Sequence, residues 1–165
     1  MFRIVAWGSA LNPSAISNST WLDHLDRAPG SLHWISRNEK GEMIGAARLT
    51  IHHSLSETRD LLLWKNANLP VALPVADFGR LVVRSDARGH GLGSVFNKAR
   101  LHAARDKGAK TCVATASDAN ARLLRALGFF DVDMGVPVRF DDRPGLIFAA
   151  LQYNFSEGST GEGPV

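Results

Sequence analysis

Leu81-Val82-Val83-Arg84-Ser85-Asp86-Ala87-Arg88-Gly89-His90-Gly91-Leu92-Gly93 holds three kinds of signal in thirteen residues. The apolar run Leu81 to Val83 reads as a strand core buried on both faces. A turn with three glycines follows. The clearest helix of the chain, Leu92 to Lys107, comes next: Leu92, Val95, Phe96, Ala99 and Ala103 recur at helical spacing, and Gly108 supplies the stop.

Upstream, the strand extends back to Asp77, and the segment from Asn66 to Pro74 reads as a loop. Leu55 to Trp64 has a mild helical bias. Leu32 to Ser36 and Met43 to His52 are strands of a hairpin, joined by the polar turn Asn38 to Glu42. Phe2 to Trp7 reads as a first strand, and Thr20 to Arg27 as a short helix capped by Ser19 or Thr20. Downstream, Thr111 to Ala116 is a strand and Asp118 to Leu127 a helix closed by Gly128. Phe129 to Met134 and Leu146 to Tyr153 are the last strands. The order predicts a mixed α/β (α+β) domain over residues 1–155, followed by a disordered tail over 156–165.

The 165 residues suffice for one hydrophobic core, and 45% apolar with 21% charged residues is the balance of a globular chain. A net charge of +3 without any run of Lys and Arg gives no footprint for nucleic acid. No apolar run approaches membrane-spanning length, and no secretory leader is recognisable. The single cysteine, Cys112, allows no internal disulfide, and the expected location is the cytoplasm.

Glycines between a strand and a helix let a ligand approach main-chain N–H groups, and the helix start adds unpaired donors and partial positive charge. Such a turn is an anion site for phosphates, to which Arg84 and Arg88 would add charge-assisted contacts. The alternating Gly89, Gly91 and Gly93 do not fit G-x-G-x-x-G, and G-K-[ST] is absent. Two readings stay open on local grounds: a cradle for another phosphate ligand, or a turn with structural duties alone.

Arg88-x-x-Gly91-x-Gly93 after a Val-rich strand resembles the pyrophosphate loop of the GNAT superfamily of N-acetyltransferases. Asn120-Ala121-Arg122-Leu123-Leu124-Arg125-Ala126-Leu127-Gly128-Phe129 is similar to that family's second signature, a helix closed by Leu-Gly-Phe. Gly41-Glu42-Met43-Ile44-Gly45 resembles the G-x-x-x-G that leads into its third strand. The resemblance runs from about Leu32 to Tyr153. It implies a mostly antiparallel central sheet of about six to seven strands, helices on both faces, and a splay at the acyl-CoA site. It also implies transfer of an acetyl group from acetyl-CoA to a primary amine of a small molecule or peptide, without a metal. Members are often homodimers.

By the same resemblance, the main-chain N–H groups of Arg88, Gly89, His90, Gly91, Leu92, Gly93 and Ser94 would hold the coenzyme A pyrophosphate. Leu81, Val82 and Val83 would supply the strand that pairs with the pantetheine amides. Ser117 stands where members often carry an asparagine that touches pantetheine, and Asn120 lies one turn away. For both residues, helix capping is the competing reading. Asp77, six residues before Val83, stands where many members place a glutamate that acts through water, and is the candidate general base. Leu124 occupies the position of the family's usual acid, a tyrosine; the chain's one tyrosine is Tyr153.

Other residues have structural readings. Cys112 reads as a core thiol, His52 and His53 face opposite sides of a strand, and Trp21, Trp34 and Trp64 read as packing residues. Arg139, Asp141, Asp142 and Arg143 read as a solvated turn, with a charged acceptor rim as the alternative. Two further functions compete: an acyltransferase of the same fold with a longer acyl donor or another nucleophile, and an acyl-CoA sensor without turnover.

Overall fold

The hairpin, the glycine-turn helix and the final strands all form, within a computed structural model that describes residues 23–156. The strands are β1 (Leu32–Arg37), β2 (Met43–His52), β3 (Val75–Asp77), β4 (Val82–Val83), β5 (Thr111–Ala116), β6 (Phe130–Asp131) and β7 (Ala149–Asn154). The α-helices are α1 (Arg59–Leu62), α2 (Leu92–Asp106) and α3 (Asp118–Arg125). Short 3₁₀ turns flank them at His24–Asp26, Leu63–Asn66 and Ser85–Ala87.

One seven-stranded sheet runs in the order β1-β2-β3-β5-β7-β6, with β4 also pairing β2. Only β3 and β5 are parallel; the other pairs are antiparallel. Alternation along the strands builds a core on each face. Leu49, Ala76, Cys112, Ala114 and Leu151 pack with Ala104, Ala121 and Leu124 of α2 and α3. Val75, Val113 and Ala150 point the other way and pack with Leu61 and Trp64. The expected mixed sheet with helices on both faces is therefore present.

The expected single strand from Asp77 to Val83 is two strands. β3 takes one half of the β2 edge, with Thr50 opposite Asp77, and β4 takes the other, with Gly45 opposite Val83. Between them Arg80 adopts a left-handed φ of 55°, which breaks the extended backbone. The carbonyl of Gly79 turns to accept the Arg48 N–H at 3.2 Å and Arg100 Nη1 at 3.3 Å. Phe78 N still reaches Val113 O at 3.0 Å, but β4 no longer pairs with β5. The sheet opens there and β4 keeps one free edge; of the Leu81–Val83 segment, expected to be buried on both faces, Val82 is buried and Leu81 and Val83 are half-buried.

Other boundaries shift, the last strand starting at Ala149 rather than Leu146. Of the expected strand Phe129 to Met134 only Phe130–Asp131 forms, because the Gly135 and Pro137 region turns the chain away; a lone bridge joins Val138 to Phe148. The end of the expected Thr20–Arg27 helix is a 3₁₀ turn capped by Asp23, whose carboxylate accepts from Leu25 N while Asp26 reaches back to Asp23 N. The strand Phe2–Trp7, the caps Ser19 and Thr20, Trp21 and the tail from 157 onward lie outside the described residues. Among the described residues no helix is long and apolar enough to cross a membrane.

Candidate active site at the splay

The glycine turn is built by backbone conformation. Gly89 and Gly91 have φ of 82° and 80°, a region closed to most side chains, and a Cβ at either would meet only open space. Gly91 occupies the N-cap of α2 and offers no side chain to cap it. The N–H groups from Gly89 to Ser94 make no hydrogen bond among the described residues, so a row of donors converges at the helix start.

A cleft of about 670 Å³ opens against this row. Leu81, Val82 and Val83 form one wall; Arg88, Gly89 and Gly91 come from the turn, Leu92, Gly93 and Ser94 from α2, and Ser117 and Asn120 from the start of α3. Of the expected residues, His90, Asp77 and Arg84 do not line it; the His90 N–H remains in the row. Ala87, Ala119 and Leu123 complete the lining and were missed by sequence reasoning. Leu123 was findable, since it sits three residues after Asn120 on the same helical face.

Of the two arginines expected to meet an anion, Arg88 lines the cleft and donates Nε to Val83 O at 3.1 Å, while its main-chain N–H, expected in the donor row, donates to Ser85 O at 3.4 Å. Arg84 is turned aside by Asp86 at 2.6 Å and Glu42 at 3.4 Å. The Ser117 hydroxyl does not cap α3. Asn120 Oδ1 accepts from Asn97 Nδ2 at 2.8 Å.

Asp77 is the last residue of β3 and stands at the apex where the sheet divides. It shares the α1 face of the sheet with Thr50, its cross-strand partner, and with His52 and Arg48 two residues to either side of Thr50. Burial pushes its carboxyl up to about 6, against the opposing pull of Arg48. A carboxylate with that value is ionised at neutral pH and still basic enough to take a proton.

Around Asp77 the ionic groups are interlocked. Arg48, 2% exposed, binds Asp23 at 2.6 Å and Asp26 at 3.1 Å. Arg80 binds Asp23 at 2.8 Å and approaches Asp142 at 3.6 Å. Arg143 binds Asp142 at 3.0 Å and stacks over Phe140 and Phe148, so this part of the last hairpin is packed rather than a solvated turn. His52 uses both ring nitrogens, at 2.8 Å from Glu57 and 2.8 Å from Thr50.

The other candidate groups lie elsewhere. Leu124 is wholly buried in the core. Tyr153 belongs to an aromatic stack with Phe129 and Phe155 and does not line the cleft. Cys112 is buried, and burial pushes its thiol up, which suits a packing residue. Trp64 is buried against the sheet, and Trp34 packs at the edge of the core.

Residues 4–129 match the model of the acetyltransferase (GNAT) family. The chain belongs to that family. No curated protein matches the sequence closely enough to add a relative. Among solved structures it is similar to a GNAT phosphinothricin acetyltransferase from Sinorhizobium meliloti in complex with AcCoA: 18% identity, 99% of this chain and 86% of that one, TM-score 0.60. A GCN5-related N-acetyltransferase from Kribbella flavida is 18% identical over 93% of this chain and 88% of that one, TM-score 0.58. Arylalkylamine N-acetyltransferase 2 from Aedes aegypti is 17% identical over 74% of this chain and 72% of that one, TM-score 0.53. At these identities the likeness is one of fold.

Proposed function

We propose that the protein transfers an acetyl group from acetyl-CoA directly to a primary amine of a small molecule or peptide, within a ternary complex. Two observations support this, although Asp77 itself does not line the cleft. A row of unpaired N–H donors stands at one end of an apolar-walled cleft, and a basic carboxylate stands at the point where the sheet opens.

The donors from Gly89 to Ser94 suit a pyrophosphate. The free edge of β4 offers main-chain groups to the amides of a pantetheine arm, as an added strand would. The splay leads the thioester toward Asp77. The acceptor amine enters from the α1 face as an ammonium, and Asp77 takes its proton through a water. The neutral nitrogen then attacks the thioester carbonyl; a C–N bond forms, the C–S bond breaks, the electron pair leaves on sulfur, and the surplus proton on nitrogen passes to solvent. With Leu124 buried, α3 supplies no acid from that position, and coenzyme A departs as its thiolate. Residues 1–155 form the catalytic domain in this reading, and the single buried thiol suits the cytoplasm.

A thiol-release assay with acetyl-CoA and a panel of amines tests the proposal. Release that depends on one class of amine is the expected result. Tight acetyl-CoA binding without release for any amine would replace catalysis by acyl-CoA sensing.

A further inference from the structure

Behind the cleft lies a buried polar chain whose direction is fixed. Asn97 and Arg100, both on α2, are fully buried, and neither lines the cleft. Arg100 donates Nη1 to Arg48 O at 3.2 Å and to Gly79 O at 3.3 Å, and its guanidinium lies 4.5 Å over the Phe78 ring. Its Nη2 donates to Asn97 Oδ1. Asn97 Nδ2 in turn donates to Asn120 Oδ1 at 2.8 Å.

A guanidinium has donors and no acceptor. It therefore compels Asn97 to present its oxygen, which leaves the Asn97 amide nitrogen for Asn120. Asn120 must answer with its oxygen, and its Nδ2 remains without a partner among the described residues, on a side chain that lines the cleft. We infer that Arg100 and Asn97 are positioning residues that lock the Asn120 amide with its N–H groups toward the cleft, selecting a ligand that presents a carbonyl acceptor there. The amide carbonyl of a pantetheine arm is such a group, so the inference rests on the function proposed above. The same guanidinium holds Gly79 O where β3 and β4 part, so one buried cation anchors both the splay and the cleft donor.

Asn97→Asp keeps the volume and the contact with Arg100 but offers Asn120 an acceptor, so the Asn120 amide turns and faces the cleft with its oxygen. Calorimetric titration with coenzyme A and with adenosine 3′,5′-bisphosphate, which lacks the pantetheine arm, reads the effect. Coenzyme A should bind on the order of tenfold more weakly, about 1.4 kcal/mol, while the bisphosphate is unchanged. In an Asn120→Ala background the Asn97→Asp change should add nothing. Equal weakening of both ligands would mean a merely structural role and overturn the inference, as would unchanged coenzyme A affinity. Should Asn97→Asp fail to fold, Asn120→Asp at the half-buried rim must show the same selective loss, and unchanged affinity there overturns the inference. Wild-type protein that binds neither ligand removes the proposed function and this inference together; normal wild-type binding with an indifferent variant removes the inference alone.

Discussion

The proposed role of Asp77 as a base has opposite consequences for chemistry and for stability. As a base it must be ionised, so kcat/KM should rise with pH through an inflection near 6, well below the titration of a lysine-like amine at about 10.4. Asp77→Asn should lower turnover by about a hundredfold and erase that inflection; an unchanged pH–rate profile would remove Asp77 from the mechanism. For stability the sign follows from a folded value near 6 above the ordinary 3.8. The contribution is fully present below the ordinary value and is lost as pH rises through 6. Thermal unfolding at pH 8 should therefore find Asp77→Asn no less stable than wild type, with the difference vanishing toward pH 4. The position of Asp77 before a Val-rich strand was legible in the sequence. Its environment was not, because Arg48 and Arg100 reach it from remote segments.

At the scale of elements, local chemistry was the legible part. The alternating glycines announced a turn open to a ligand at its main chain, and Gly89 and Gly91 build it with left-handed φ. Gly91→Ala should destabilise the protein by about 1–2 kcal/mol in urea unfolding, and Gly91→Asn by less, since Asn tolerates that region. The break between β3 and β4 was illegible: it depends on Arg80, on Gly79 and on the two arginines that claim the Gly79 carbonyl, contacts that no spacing rule anticipates. Gly45 links hairpin to helix. A Cβ there would stand 2.7 Å from Leu92 Cδ2 and 2.8 Å from Phe96 Cε2. Gly45→Ala should cost about 1–3 kcal/mol and, by pushing α2 outward, weaken coenzyme A binding as well. Loss of stability with affinity intact would show that the helix start does not depend on this packing.

Across the whole molecule, the two faces of the sheet have different work. The α2–α3 face carries the cleft, and the opposite face carries the interlocked charges around Asp77. Burial raises the cost of the Asp23 charge, yet Arg48 and then Arg80 hold its carboxyl below the ordinary range. That contribution is present above the ordinary value and is lost as pH falls through the lower folded one. Arg48→Met leaves Asp23 and Asp26 without their shared partner and should destabilise the protein by about 3 kcal/mol at pH 7, with a smaller deficit near pH 3, when followed by denaturant unfolding. The family and most of the cleft lining were legible because their motifs are contiguous in the chain. The charges around Asp77, where the proposed acceptor would enter, come from β2, β3 and the last hairpin and meet only in the fold.

Titration of the protein with acetyl-CoA bears most directly on the cleft as an acyl-CoA site. Saturable one-to-one binding is expected, abolished or greatly weakened when Gly89 and Gly91 are both replaced by valine, with the variant still folded by circular dichroism. No binding by the wild type, or equal binding by the variant, would contradict it.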